Sequence, residues 1–251
     1  MYSIFSAQSH FSREVTAGVL ALLDLPHLGA IASALAAGAA VGGCLPPMCE
    51  ALAAAALRSI GDETHSSSPD RRITLVTIVL CALVCGLCAG VFGVGQKGFA
   101  AFALSCALLV GAVIDVRYRL LPDIVTAPLL WIGLLANTRG LFVPLPDAVL
   151  GAIAGYLGMR AISCLASIAT QSLGIGHGDF KLLAALGAWL GWTALPAVLA
   201  IAALSSIVWS LSSARGNRLP LRESMAFGPF LALGGLVGVC LSAPGVYVLL
   251  R

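Results

Sequence analysis

From residue 73 to residue 114 the chain reads ITLVTIVLCALVCGLCAGVFGVGQKGFAAFALSCALLVGAVI, and Lys97 is its only charge. A bilayer is crossed by a helix of about 20 apolar residues. This stretch holds two such segments, 73–93 and 98–114, parted at VGQK. Inside hydrocarbon only helices and closed barrels satisfy every backbone N–H and C=O. Barrel strands alternate apolar with polar residues, and these runs do not alternate. Further apolar segments are read at 28–48, 124–138, 148–168, 182–192, 194–212 and 226–249. The fold class that follows is all-α: a polytopic transmembrane helical bundle of about eight spans, with the lipid bilayer as its surroundings. Only 10% of the residues are charged, against about 25% in a soluble domain, which excludes a soluble globular chain.

The stretch GWTALP (191–196) separates the sixth and seventh spans, because Gly, Thr and Pro in succession break a helix. Orientation follows from Lys and Arg in short loops. With eight spans and the N-terminus outside, the cytoplasmic loops hold Arg58, Arg71, Arg72, Arg117, Arg119, Lys181, Arg215, Arg218 and Arg222. The outer segments hold Arg13, Lys97, Arg139 and Arg251. Residues 1–16 lack the basic-then-apolar order of a signal peptide, so no cleavage is expected. RSIGDETHSSSPDRR (58–72) is polar and Ser-rich and reads as a loop. Small residues crowd 30–43 and 151–158, which suits close helix packing in lipid. The net charge of +3 gives no signal for nucleic acid, and none is expected as a partner. The eight cysteines fall mostly in apolar runs without paired C-x2-C knuckles, so they read as small apolar residues and no metal site is expected.

Ionisable groups at membrane depth are costly and mark function. Most acids, Glu50 among them, read as tail, loop or span-end residues; Asp115, Asp123 and Asp179 remain. Asp115 ends the third span and Asp179 begins the sixth, so both fall at similar depth on the cytoplasmic side. Two carboxylates at close range do not both ionise readily. One acts as a base and the other stays protonated, which suits hydrolysis of a peptide bond. Gly174, Gly176 and Gly178 alternate before the second acid and read as an open, extended backbone that a peptide can approach. On spacing alone the acids also fit simpler roles. Asp179 would be a helix N-terminal acid, and Asp115 a partner of Arg117 or Arg119.

Three stretches carry a family resemblance. IDVRYRLLPDIVTAPLLWIGLL (114–135) resembles the first-aspartate motif of the type IV prepilin peptidases, an acid followed by a basic stretch and Leu-Pro-Asp. GIGHGDFKLLAALGAWLG (174–191) resembles their Gly-x-Gly-Asp-x-Lys motif, and MAFGPFLALGG (225–235) their Phe-Gly-Pro-Phe segment. The likeness covers roughly 105–240 in the family's order. It implies an aspartic endopeptidase that cuts the short basic leader from type IV prepilins or type II secretion pseudopilins, in the bacterial inner membrane with its active site facing the cytoplasm. Asp115 and Asp179 would be the catalytic pair. Gly176, Gly178, Lys181 and Asp123 would bind substrate or support the pair, and His177 would be a bystander.

The N-terminal third departs from the family, whose members often carry two Cys-x-x-Cys zinc pairs after the first span. The loop at 58–72 has no Cys, and AAVGGCLPPMCEALAAAALRS (39–59) is only faintly like the family's Gly-Ser-Phe-Leu-Asn segment. The expected organisation is a reduced N-terminal span and loop, 1–72, with no zinc-binding domain, and a membrane-embedded peptidase domain, 73–251. The family's N-methylation is associated with the altered region. S-adenosylmethionine would be a cofactor only if that activity is retained, and no other cofactor is expected. The alternatives are a transporter or channel subunit and a presenilin-like intramembrane protease. Arg160 is the only charge read well inside a span, which disfavours a charged path; Leu-Pro-Asp after Asp115 favours the prepilin class. Oligomeric state is not readable.

Overall fold

The computed structural model describes residues 25–60, 71–170, 176–215 and 226–242. The readings of residues 1–16, of most of the 58–72 loop, and of Gly174, Arg218 and Arg222 lie outside the described residues. Within them the regular structure is helical: α1 (Leu25–Ile60), α2 (Arg71–Phe92), α3 (Gln96–Tyr118), α4 (Asp123–Asn137), α5 (Leu145–Thr170), α6 (His177–Leu190), a single 3-10 turn (Trp192–Ala194), α7 (Leu195–Arg215) and α8 (Gly228–Leu241). These helices fall on the eight apolar segments. Five of them contain stretches long and apolar enough to cross a membrane: Gly29–Ala55, Thr74–Phe92, Gln96–Tyr118, Leu145–Leu165 and Trp192–Ser212. Asp123–Asn137 and Gly228–Leu241 are shorter apolar helices.

α6 is the centre of the bundle, with α4, α5 and α8 packed around it. Eleven of its 14 residues are buried, so it is apolar on nearly every side, as a core helix must be. Leu183 and Leu186 join Leu104 and Leu108 of α3 and Leu231 of α8 in one core. A second core lies between α1 and α3, where Leu45, Cys49 and Ala53 meet Leu109, Val110 and Ile114. The small-residue stretches do bring helices together. A Cβ on Gly151 of α5 would run into the carbonyl of Gly187 on α6, and a Cβ on Gly187 into that of Gly151. Backbones approach this closely only where side chains are absent.

One break and one uninterrupted helix shape the bundle. Gly191 takes φ +79°, in the left-handed region that favours glycine, and ends α6. The 3-10 turn follows, and α7 starts at Leu195, inside the expected break at 191–196. The first helix is longer than its expected span. α1 runs for 36 residues through Pro46 and Pro47 and ends at Ile60, well past the expected end near 48. Proline removes a helix N–H, but membrane helices tolerate the loss. Glu50 therefore sits within a helix and inside the span Gly29–Ala55.

One buried polar side chain ties the far end of the bundle. Asn137, 1% exposed, donates from Nδ2 to the carbonyls of Ala188 (2.8 Å) and Trp189 (3.0 Å). Its Oδ1 accepts from the backbone N–H of Phe142 (3.0 Å) and Val143 (3.2 Å). The amide thereby uses both faces of its hydrogen-bonding capacity and caps carbonyls that the end of α6 leaves without helical partners.

Candidate active site

Three helix ends meet at the opposite end of α6. α3 brings Asp115 in its last turn, α6 brings Asp179 in its first, and α8 begins with Gly228. Asp115 and Asp179 are 6% and 7% exposed, although carboxylates are almost never so buried without a role or a partner. They lie close enough for the charge on one to act on the other. The Gly228 N–H donates to Asp115 Oδ2 at 2.9 Å. Helix N-termini favour negative charge, and here the N-terminus of α6 carries one carboxyl while that of α8 grips the other.

The turn after Asp115 is built to hold it. Arg119 caps α3 with a left-handed φ of 51°, and its N–H donates to the Asp115 carbonyl at 2.9 Å. A non-glycine residue in this region costs roughly 1–2 kcal/mol, so the packing around it must fix the turn. Leu121 and Pro122 follow, and α4 starts at Asp123. Gly178 lets the start of α6 nest against that turn: a Cβ there would sit 2.6 Å from Leu121 Cβ.

Each residue singled out from sequence has a place. Lys181 pairs with Asp123 at 2.5 Å across α6 and α4, both partly open to the outside. Asp115 does not pair with Arg117; Arg117 pairs instead with Glu50 of α1, and the Tyr118 hydroxyl donates to the other Glu50 oxygen at 3.0 Å. His177 is exposed, with its ring 5.4 Å from that of Phe180, outside the acid pair. The glycine run differs from expectation. α6 begins at His177, so Gly178 is helical, and Gly176 alone of the described pair is extended, with φ −59° and ψ 140°. Gly178 makes room for Leu121, while a Cβ on Gly176 would meet only Asp179 Oδ2, at 3.6 Å.

Sequence reasoning missed Glu50 and the Gly228 N–H. Glu50 follows the expected span end near 48, and only an acid within an uninterrupted helix would have stood out. The Phe-Gly-Pro-Phe segment did signal Gly228, but not its partner. Among the described residues no three His, Cys, Asp or Glu side chains converge. Cys81 and Cys106 approach to 3.5 Å between sulfurs.

A helical multi-pass membrane protein with two buried aspartates at one end of its bundle defines the class. Residues 102–211 match the type IV leader peptidase family model. The chain is 50% identical over 134 residues to a prepilin leader peptidase/N-methyltransferase of Dickeya chrysanthemi, covering 53% of this chain and 47% of that protein. It is 44% identical over 187 residues to one from Burkholderia pseudomallei strain K96243, covering 74% and 60%. It is 47% identical over 148 residues to one from Pectobacterium carotovorum, covering 59% and 53%. The chain thus spans between about half and three fifths of these relatives. No solved structure matches.

Proposed function

We propose that this chain is a membrane aspartic endopeptidase that removes the short basic leader from type IV prepilins or type II secretion pseudopilins, at the cytoplasmic face of the bacterial inner membrane. The observation that carries the reading is that Asp115 and Asp179 are both buried at one end of the bundle, in the last turn of one helix and the first turn of another. Such a pair sharing one proton supplies both groups that hydrolysis needs. The ionised carboxyl takes a proton from water as the water oxygen bonds to the scissile carbonyl carbon. The protonated one donates to the carbonyl oxygen, and a proton passes to the leaving amine as the C–N bond breaks. Water is the co-substrate, and no step of this hydrolysis involves S-adenosylmethionine.

Arg117 and Lys181 flank the acids, and from sequence they argue that a basic leader extends away from the site. Their pairing with Glu50 and Asp123 weakens that repulsion. The leader then lies in water at the membrane edge, and the apolar segment behind it lies between helices.

The test is co-expression with candidate prepilins, read as a mobility shift. Asp115→Asn and Asp179→Asn are each expected to abolish cleavage while the protein stays in the membrane; a general acid–base group contributes about 10²–10⁴-fold. Processing retained by either variant refutes the paired-acid mechanism. A transporter built on this bundle would keep its activity.

A further inference from the structure

We infer that Glu50 is a positioning residue for Asp115: it clamps the last turn of α3 from α1, which makes α1 part of the machinery that orients the acid pair. The inference rests on the protease reading for its effect on turnover, and on geometry alone for the clamp itself.

The end of a helix frays because its last carbonyls lack helical partners. Asp115 stands in such a turn, three residues before Tyr118 ends α3. Its carboxyl is held by the Gly228 N–H and its carbonyl by the Arg119 N–H. Arg117 and Tyr118 lie between Asp115 and the cap, and both reach the same carboxylate. Glu50 gives one oxygen to Arg117 and the other to the Tyr118 hydroxyl. The ion-pair side chains are only 15% and 19% exposed, so the contact is screened far less than a surface pair. α1 is itself anchored at this level, because its neighbours Cys49 and Ala53 pack in one core with Val110 and Ile114 of α3. A rotation of the turn would break both Glu50 bonds and carry Asp115 with it. Removing Glu50 also leaves the Arg117 charge half-buried and unpaired, two residues from Asp115, a costly state.

Three variants separate positioning from bulk structure. Glu50→Gln keeps the shape and removes the charge. Tyr118→Phe removes one hydroxyl and no charge. The exchange Glu50→Arg with Arg117→Glu restores the pair reversed. Purified proteins in detergent are assayed on a prepilin-like peptide, with Asp115→Asn as the blank, and the amides of 115–119 are followed by hydrogen exchange. Glu50→Gln is expected to lower kcat about 10–100-fold, the scale of a misplacement near 1 Å, with KM little changed and faster exchange at 116–119. Tyr118→Phe should shift both readouts the same way by less, and the exchanged pair should recover kcat relative to either single change. Wild-type kcat and exchange in Tyr118→Phe and Glu50→Gln overturn the inference. A rise in KM alone also overturns it, in favour of a leader contact. If Glu50→Gln fails to accumulate, Tyr118→Phe decides alone. If the wild type shows no Asp115-dependent cleavage, the protease reading fails, and hydrogen exchange still decides the clamp.

Discussion

Replacing Gly228 by alanine tests the geometry of the acid pair more sharply than removing an acid does. The added Cβ would sit 2.6 Å from Asp115 Oδ2, 3.0 Å from Cγ and 3.2 Å from Cβ. Ordinary contact begins near 3.4 Å, so the carboxyl must retreat by roughly 0.8 Å from its nearest atom. The retreat stretches the 2.9 Å hydrogen bond from the Gly228 N–H and displaces the carboxyl from the position that bond fixes. A displacement near 1 Å at a reacting group costs about 10²-fold, or about 2.7 kcal/mol of barrier. Gly228 is the first residue of α8, and alanine in place of helical glycine does not weaken a helix. The expected result is kcat/KM about 10–100-fold lower on a prepilin peptide, in a protein with unchanged helix content and nearly unchanged thermal unfolding. Gly158→Ala, where a Cβ meets nothing within 4 Å, is the control and should be fully active. A fully active Gly228→Ala protein would refute the reasoning, because the carboxyl position bonded to Gly228 would then not be the working one.

Asn137→Ala should cost about 2–5 kcal/mol in thermal or denaturant unfolding, since it strips partners from two buried carbonyls and two backbone N–H groups; a loss below about 1 kcal/mol would contradict the keystone role. Cysteines placed at Val116, 59% exposed, and at the exposed His177 should react with a membrane-impermeant thiol reagent only from the cytoplasmic face. Phe180 suggests itself from sequence for the same test, but it is 4% exposed, so a cysteine there should stay unlabelled from either face. Labelling from the periplasm of intact cells would overturn the eight-span orientation. Chelators should leave cleavage unchanged, and elemental analysis of purified protein should find no stoichiometric zinc; one zinc per chain would contradict this.

The bundle was legible because a lipid-embedded helix announces itself locally. Each helix is its own run of apolar residues, and the break at 191–196 is written in Gly191 and Pro196. The two acids were legible for the same local reason, since charge in such runs is rare. What was not legible is what connects elements far apart in the chain. Asn137 drew no attention in the sequence, and its partners are 51 and 52 positions away. Lys181 finds Asp123 at a separation of 58, and Arg117 finds Glu50 at 67. Glu50 was hidden twice, by distance and by an expected span end near 48 that the helix does not make. The glycines of the Gly-x-Gly-Asp run misled in a similar way. Their alternation reads as extended chain, whereas Gly178 is selected by Leu121 on another element.

The length of α4 sets a condition on the lipid. It has 15 residues, about 22 Å at 1.5 Å per residue, and hydrocarbon is about 30 Å thick. One side of it, with Ile124, Trp131, Ile132 and Leu135, faces outward. A helix too short for its bilayer creates a hydrophobic mismatch, relieved by thinning of the lipid beside it. That thinning falls next to Asp123, at the end of the bundle where the acids sit. The dimple would lower the headgroups toward the carboxyl pair and let water reach a bond that a flat membrane would bury. Acyl-chain length then becomes a variable of catalysis: lipids with shorter chains flatten the dimple, and longer ones deepen it.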